Sequence, residues 1–340
     1  MKSKPIALEA RNLVKYFPTG HKGFFGRPSQ ELKAVDGVSF VLPKGETLGI
    51  VGESGCGKST LARLITRLLD PSSGEVILDS QDITHLRGRP LRDVRRQIQM
   101  IFQDPYSSLN PRHSVGQIIS APLEVQGIVP GDEVMSRVRE MMALVGLNPE
   151  HYNRYPHEFS GGQRQRIGIA RSLILNPAVI VADEPVSALD VSIQAQILNL
   201  LERLQHDLGL SFIFIAHDLS VVRHIADKVA VMYLGKIVEM GPSSDVYGRS
   251  MHPYTTALLS AVPVANPKKR GAAGRIRLQG DVPSPVDPPS GCRFRTRCWK
   301  VSDLCASIEP PLVDMGEGHL VACHHPMEPS ERAGKPAVEG

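Results

Sequence analysis

Long apolar runs are missing from this 340-residue chain. Nothing approaches the roughly 18 consecutive apolar residues that a membrane-spanning helix requires, although 41% of the residues are hydrophobic. That hydrophobic content suffices for sizeable cores in two or three structural units. The opening MKSKPIALEA lacks the apolar stretch of a secretory signal. Any membrane contact is therefore expected to come through partner proteins. Charge of one sign is also lacking: the net charge of +4 is too weak for an obvious nucleic-acid stripe. Internal repeats and low-complexity tracts are not evident.

What is present begins with VGESGCGKST. Gly52 to Ser59 match G-x-x-x-x-G-K-[ST], a phosphate-binding loop. An apolar strand (Thr47 to Val51) leads in, and Leu61, Leu64, Ile65 and Leu68 at helical spacing lead out. Backbone N–H groups of Gly55, Cys56, Gly57 and Lys58 can form an anion nest. The following helix adds its positive end. Gly52, Ser54 and Thr60 complete the expected loop contacts. Lys58 would bridge the β- and γ-phosphates, and Ser59 would hold Mg²⁺. The thiol of Cys56 is replaceable, and bound nucleotide is expected to shield it.

A second set of motifs narrows the class. Ser160-Gly161-Gly162-Gln163 opens the run SGGQRQRIGIARSL, and VIVADEP follows with Asp183 and Glu184. Gln103 lies in MIFQDP, Ser187 to Asp190 read SALD, and His217 ends FIFIAHD. In this order the chain resembles the ATP-binding cassette (ABC) ATPases, from about Leu8 to Pro263. The resemblance makes these runs the signature, Walker B, Q-loop, D-loop (Asp190) and switch histidine.

Phosphoryl transfer needs the leaving charge neutralised and a water placed in line. Asp183, at the end of a buried strand, would bind Mg²⁺ through water together with Ser59. Glu184 is the candidate to orient or deprotonate the water. His217 would reach the γ-phosphate. Gln103 would touch Mg²⁺ or the water while sensing a partner. Taken singly, a carboxylate at a strand end could simply cap a turn, and a lone histidine could be structural. Ser160 is expected to cap the helix carrying Ile167, Ala170, Arg171 and Ile174. One phosphate loop and one signature per chain imply a second cassette, identical or homologous, because in this family the signature faces ATP bound by the opposite subunit. For adenine stacking, register against the family favours Phe17, with Tyr16 as the other reading. His21 to Val35 reads as an extended surface loop.

The chain is thus expected to be α/β. A RecA-like P-loop ATPase core (1–103 and 177–245) would be interrupted by an α-helical subdomain carrying the signature (104–176). A small cysteine-containing C-terminal extension (246–340) would follow. Residues Asp104 to Gln117 would face a membrane partner.

The tail runs MHPYTTALLSAVP, then a basic stretch with nine Lys/Arg against two Asp between Val264 and Lys300. Cys292, Cys298, Cys305 and Cys323 follow as C-x5-C-x6-C-x17-C. This tail is similar to that of the ATP-binding subunits of dipeptide/oligopeptide importers, more closely the DppF/OppF type. The resemblance implies a [4Fe–4S] cluster on the four cysteines. Zinc, unrelated buried thiols and disulfides are the other readings, although the spacing lacks the C-x2-C of zinc ribbons. It also implies a peripheral subunit on the cytoplasmic face of the membrane. Its partners would be a homologous ATPase, two transmembrane permease subunits and an extracytoplasmic solute-binding protein, with no nucleic acid. Nickel or glutathione import by the same architecture is an alternative. A soluble, non-transport ABC ATPase is a further one.

Overall fold

The computed structural model describes residues 4–22, 28–104, 108–128, 130–262 and 276–328. A long antiparallel hairpin of β1 (Ile6–Lys22) and β2 (Pro28–Pro43) opens the chain, and β3 (Thr47–Val51) follows. Strands β4 (Ser73–Leu78) and β5 (Gln81–Asp82) return to the hairpin and make a sheet in the order β2-β1-β4-β5. The second sheet is built around β3. It gathers β6 (Ile98–Ile101), β7 (Val179–Asp183), β8 (Ser211–Ala216), β9 (Lys228–Tyr233), β10 (Lys236–Pro242), β11 (Val313–Asp314) and β12 (Leu320–Val321). Its order is β11-β12-β10-β9-β3-β8-β7-β6.

Every residue of β3, β7 and β8 is buried. Their near-continuous apolar sequence is what a parallel strand covered on both faces requires. One face packs against the antiparallel sheet and the first helix, through Leu8, Val38, Phe40, Leu61 and Ile65. The other packs against helices, through Ile169, Ile197, Leu201, Phe212 and Phe214. Each such side chain contributes about 1.5–3 kcal/mol by leaving water. The helical region comprises Val115–Gln126, Gly131–Leu144 and Gly161–Leu173.

One segment differs from the sequence expectation. Much of His21 to Val35 is strand, because β1 runs to Lys22 and pairs with β2 as far as Lys22↔Pro28. Residues 23–27 lie outside the described residues. Backbone pairing satisfies both arms without any hydrophobic signature, so polar composition misled the reading.

The tail packs onto the cassette. β12 pairs antiparallel with β10 at Glu239↔Val321 and Met240↔Leu320, extending the main sheet. Fully buried Glu239 accepts hydrogen bonds from the Met251 amide (2.7 Å) and the His252 amide (3.0 Å), and meets His319 Nε2 at 2.7 Å. His252 caps the helix Pro253–Ala261, its Nδ1 accepting the Tyr254 amide at 3.1 Å.

This cap predicts a pH dependence. Burial pushes the His252 imidazole from 6.5 down to about 4, against an upward pull from Glu239. The unfolded chain therefore takes up the proton first. Stability is full above about pH 6.5 and falls toward pH 4 by up to about 3 kcal/mol. Thermal unfolding across that range should show the slope, and His252→Asn, which retains a cap, should flatten it.

Candidate nucleotide-binding and hydrolysis site

Four parallel strands bring the motif residues to one end of the sheet. β3 delivers the phosphate loop, β6 delivers Gln103, β7 ends in Asp183 followed by Glu184, and β8 is followed by His217. This is the edge at which open α/β sheets bind ligands.

The loop turns from Val51 into helix α1 (Lys58–Ile65). Gly57 has φ 107°, and a Cβ there would stand 2.0 Å from the Ala34 carbonyl oxygen, so glycine is required on both counts. Helix α1 carries no acidic residue in its first turn and no side-chain cap. Its positive end, with Lys58, Ser59 and Thr60, adjoins the loop of Gly52, Ser54, Gly55, Cys56 and Gly57. The Lys58 ammonium crosses the loop to the carbonyls of Gly52 (2.7 Å) and Glu53 (3.0 Å). Cys56 is buried, and burial raises its thiol above the ordinary value while Lys58 pulls the other way. The shielding expected from nucleotide is already supplied by the fold.

Ser59 Oγ donates to Asp183 Oδ1 at 3.0 Å. Burial raises the Asp183 carboxyl, the Ser59 bond lowers it, and the neighbouring Glu184 charge raises it. A hydroxyl and a carboxylate so placed suit a hard divalent cation. Glu184 leaves the strand at φ 47°, in the left-handed region. This is a strained position for a side-chain-bearing residue. Its amide donates to the Ile215 carbonyl (2.9 Å) and its own carbonyl accepts from Ser187 Oγ (3.1 Å). The turn directs its carboxylate between Gln103 Nε2 (2.9 Å) and His217 Nδ1 (3.2 Å), both on Oε2. A recess of about 50 Å³ beside Glu184 and His217 has room for a water.

The signature residues lie at the start of the 13-residue helix Gly161–Leu173. Ser160 and Gln163 form a reciprocal capping box, Gln163 N to Ser160 Oγ at 3.3 Å and Ser160 N to Gln163 Oε1 at 3.0 Å. Gly162 packs so closely that a Cβ would meet Ile193 Cγ2 at 2.6 Å. Asp190 is exposed ahead of the helix Val191–Leu208. The signature and Asp190 make none of the described contacts with the Glu184 cluster.

Tyr16 is tied down by its hydroxyl, which donates to Asp36 Oδ1 at 2.7 Å. Burial, then Asp36, pushes that phenol up to about 12. Phe17 is half-buried, with the Lys15 ammonium 5.3 Å from its ring centre. Three residues that no motif marks, Glu53, Tyr254 and Arg297, also meet at the phosphate loop. Glu53 is a variable position of the motif, and the other two lie two hundred residues away and more, so no local signal could have found them.

The iron–sulfur expectation is corrected. Among the described residues no group of three or more His, Cys, Asp or Glu is placed to hold a metal ion. All five cysteines are free. Burial raises the thiol of Cys292, and pushes Cys298 to about 11 and Cys323 to about 12. Cys305 is buried, and Cys292 and Cys298 pack against the main core. The described residues therefore give no support to a [4Fe–4S] cluster, or to zinc in its place.

The phosphate loop, paired Asp183 and Glu184, Gln103 and His217 on this sheet define a P-loop ATPase of the ATP-binding cassette class. Comparison with known proteins agrees. Residues 35–187 match the ABC transporter family, and residues 238–305 match the oligopeptide/dipeptide transporter C-terminal region. The oligopeptide transport ATP-binding protein AppF of Bacillus subtilis is 54% identical over 320 residues, 93% of this chain and 96% of that one. The dipeptide transport ATP-binding protein DppF of Escherichia coli is 52% identical over 316 residues, 93% of each chain. Among solved structures, a dimeric ATP-binding cassette in a post-hydrolysis state with ADP and phosphate matches with TM-score 0.62 and 29% identity, over 69% of this chain and 98% of that one. The cbiO1 component of an ABC transporter complex from Clostridium perfringens matches with TM-score 0.62 and 29% identity, over 72% and 92%. The chain belongs to the ATP-binding subunits of the oligopeptide and dipeptide ABC transporters, a family of transport-coupled ATPases.

The buried Cys56 predicts that a maleimide reagent leaves this thiol unmodified in native protein, with or without nucleotide. Mass spectrometry should find it labelled only after unfolding. Rapid labelling of native, nucleotide-free protein would contradict this placement of the loop.

Proposed function

We propose that the chain binds ATP with Mg²⁺ and hydrolyses it to energise uptake of peptides across the cytoplasmic membrane. The observation that carries this reading is the Glu184 carboxylate held between Gln103 and His217, next to the Ser59–Asp183 pair. Lys58 and the amides of Gly55, Cys56 and Gly57 would hold the phosphates, with Gly52, Ser54 and Thr60 completing the loop and Phe17 under the adenine. Ser59, Asp183 and Gln103 would hold Mg²⁺, which when bound neutralises charge on the transferred phosphoryl group. Glu184 would orient a water and take its proton. Both of its contacts fall on Oε2, which leaves Oε1 for that water. With Nδ1 of His217 on Glu184, the Nε2 of the ring is the atom for the γ-phosphate.

The signature (Ser160, Gly161, Gly162 and Gln163) and Asp190 would serve a site on a second cassette. Exposed Val191, 81% accessible at the start of its helix, gives such a partner an apolar contact. Residues 1–103 and 177–245 would act as the ATP-binding core, 104–176 as the helical subdomain and 246–340 as the extension. Half-exposed Phe102 and the segment from Asp104 to Gln117 would receive a permease subunit; residues 105–107 lie outside the described residues. The full assembly would be two homologous ATPases, two permeases and an extracytoplasmic binding protein. No helix among the described residues is long and apolar enough to cross a membrane. Attachment to the cytoplasmic face would therefore run through the permeases.

Glu184→Gln should lower phosphate release by about 100-fold or more while Mg²⁺-ATP binding persists. It should also trap an ATP-dependent complex with the second cassette on size exclusion. Hydrolysis at the unsubstituted rate would remove Glu184 from its role. Purification from membranes should bring down permease subunits, and their absence would count against the transport assignment.

A further inference from the structure

We infer that Arg297, in the C-terminal segment, is a positioning residue for the phosphate loop, acting through Glu53, so that ATP affinity depends on the seating of that segment. Glu53 is the second residue of the loop. Its amide donates to the Tyr254 hydroxyl at 2.9 Å, and its carbonyl accepts from Lys58 Nζ at 3.0 Å and from the Cys56 amide at 3.3 Å. Its carboxylate takes a two-pronged grip from Arg297: Nη1 to Oε2 at 2.7 Å and Nη2 to Oε1 at 3.1 Å. The pair is largely enclosed, with side-chain exposures of 8% for Arg297 and 26% for Glu53.

A carboxylate in a loop built to hold phosphates is an electrostatic liability. Left unpaired it would repel the anion and draw Lys58 toward itself. The guanidinium fork neutralises that charge and fixes its direction, which a point-charge ammonium could not do as well. The loop amides are then ordered before the anion arrives, which lowers the cost of binding.

Arg297 is itself held rigidly. It closes the 3-10 turn Arg295–Arg297, which begins at buried Phe294. The Phe294 ring packs 5.3 Å from Tyr233, 5.4 Å from Tyr254 and 5.6 Å from His252. Arg293, just before it, bonds to Asp36 and to the Leu234 carbonyl. The next residue, Gly235, donates its amide to the Cys56 carbonyl at 2.8 Å. The loop is thus braced at Glu53 by the tail and helix Pro253–Ala261, and at Cys56 by the turn after β9.

The inference rests on ATP occupying this loop, and the test separates the two. Binding of Mg²⁺-ATP to the full-length chain is measured for the unsubstituted protein, Arg297→Ala, Glu53→Gln and the double variant. Arg297→Ala should weaken binding about tenfold, with turnover at saturating ATP within about twofold. Removing the exposed carboxylate as well, in the double variant, should add no further loss and should recover the part that comes from its charge. Arg297→Lys should lose less than about threefold. Arg297→Gln replaces the alanine variant, and is read in the same way, if the latter does not fold. Unchanged binding in Arg297→Ala, or losses from Arg297→Ala and Glu53→Gln that simply add in the double variant, overturns the inference and makes the pair a mere attachment point for the tail. Failure of the unsubstituted protein to bind nucleotide would overturn the ATP reading instead.

Discussion

The hydrogen-bonded register of the parallel strands decides where the motif residues of the candidate site stand. Val51 lies level with Ala216, Asp183 with Ile215, and Ile101 with Ala182. Parallel strands ladder evenly, so their carboxyl ends stop in line. The phosphate loop, Glu184, His217 and Gln103 leave the sheet from that common line. A one-residue slip would turn each side chain to the opposite face. The register is held by full burial of β3, β7 and β8, where slippage would put apolar residues out of the packing on both sides.

Within that frame, one residue of the candidate site stands in a strained backbone conformation. Glu184 in the left-handed region sets its carboxylate across the end of the sheet rather than along it. Ser187 and the Ile215 carbonyl hold the turn, and Gln103 and His217 hold the side chain. The carboxylate is thus held by side chains that follow two strands, β6 and β8, and the turn beneath it by backbone and hydroxyl contacts.

Much of this was legible in the sequence because it is carried by short contiguous runs. TLGIV, VIVAD and SFIFIA read as buried strands, and the loop, signature and Asp183–Glu184 each sit directly beside their strand or helix. Ser160 as a helix cap needed only the glutamine three residues on. What stayed hidden was nonlocal. The pairing of the β1 and β2 arms past Pro18 left no apolar alternation to read, and a bidentate partner 244 residues from Glu53 leaves no trace in either local run. The four tail cysteines misled for a related reason. Spacing along the chain says how many thiols are near in sequence, whereas ligation depends on how their sulfurs are aimed and ionised. Here burial raises the thiols of Cys298 and Cys323, Cys305 is buried, and Cys292 and Cys298 pack against the main core.

Strand β12 also closes the side of the sheet that the cassette leaves open. The Glu239–Met240 stretch of β10 would otherwise present unpaired backbone donors and acceptors at the sheet edge. An exposed edge of that kind recruits strands from other molecules. A chain clipped ahead of Val313 would therefore not simply be shorter. It would carry an open sheet edge able to pair with the same edge of its copies.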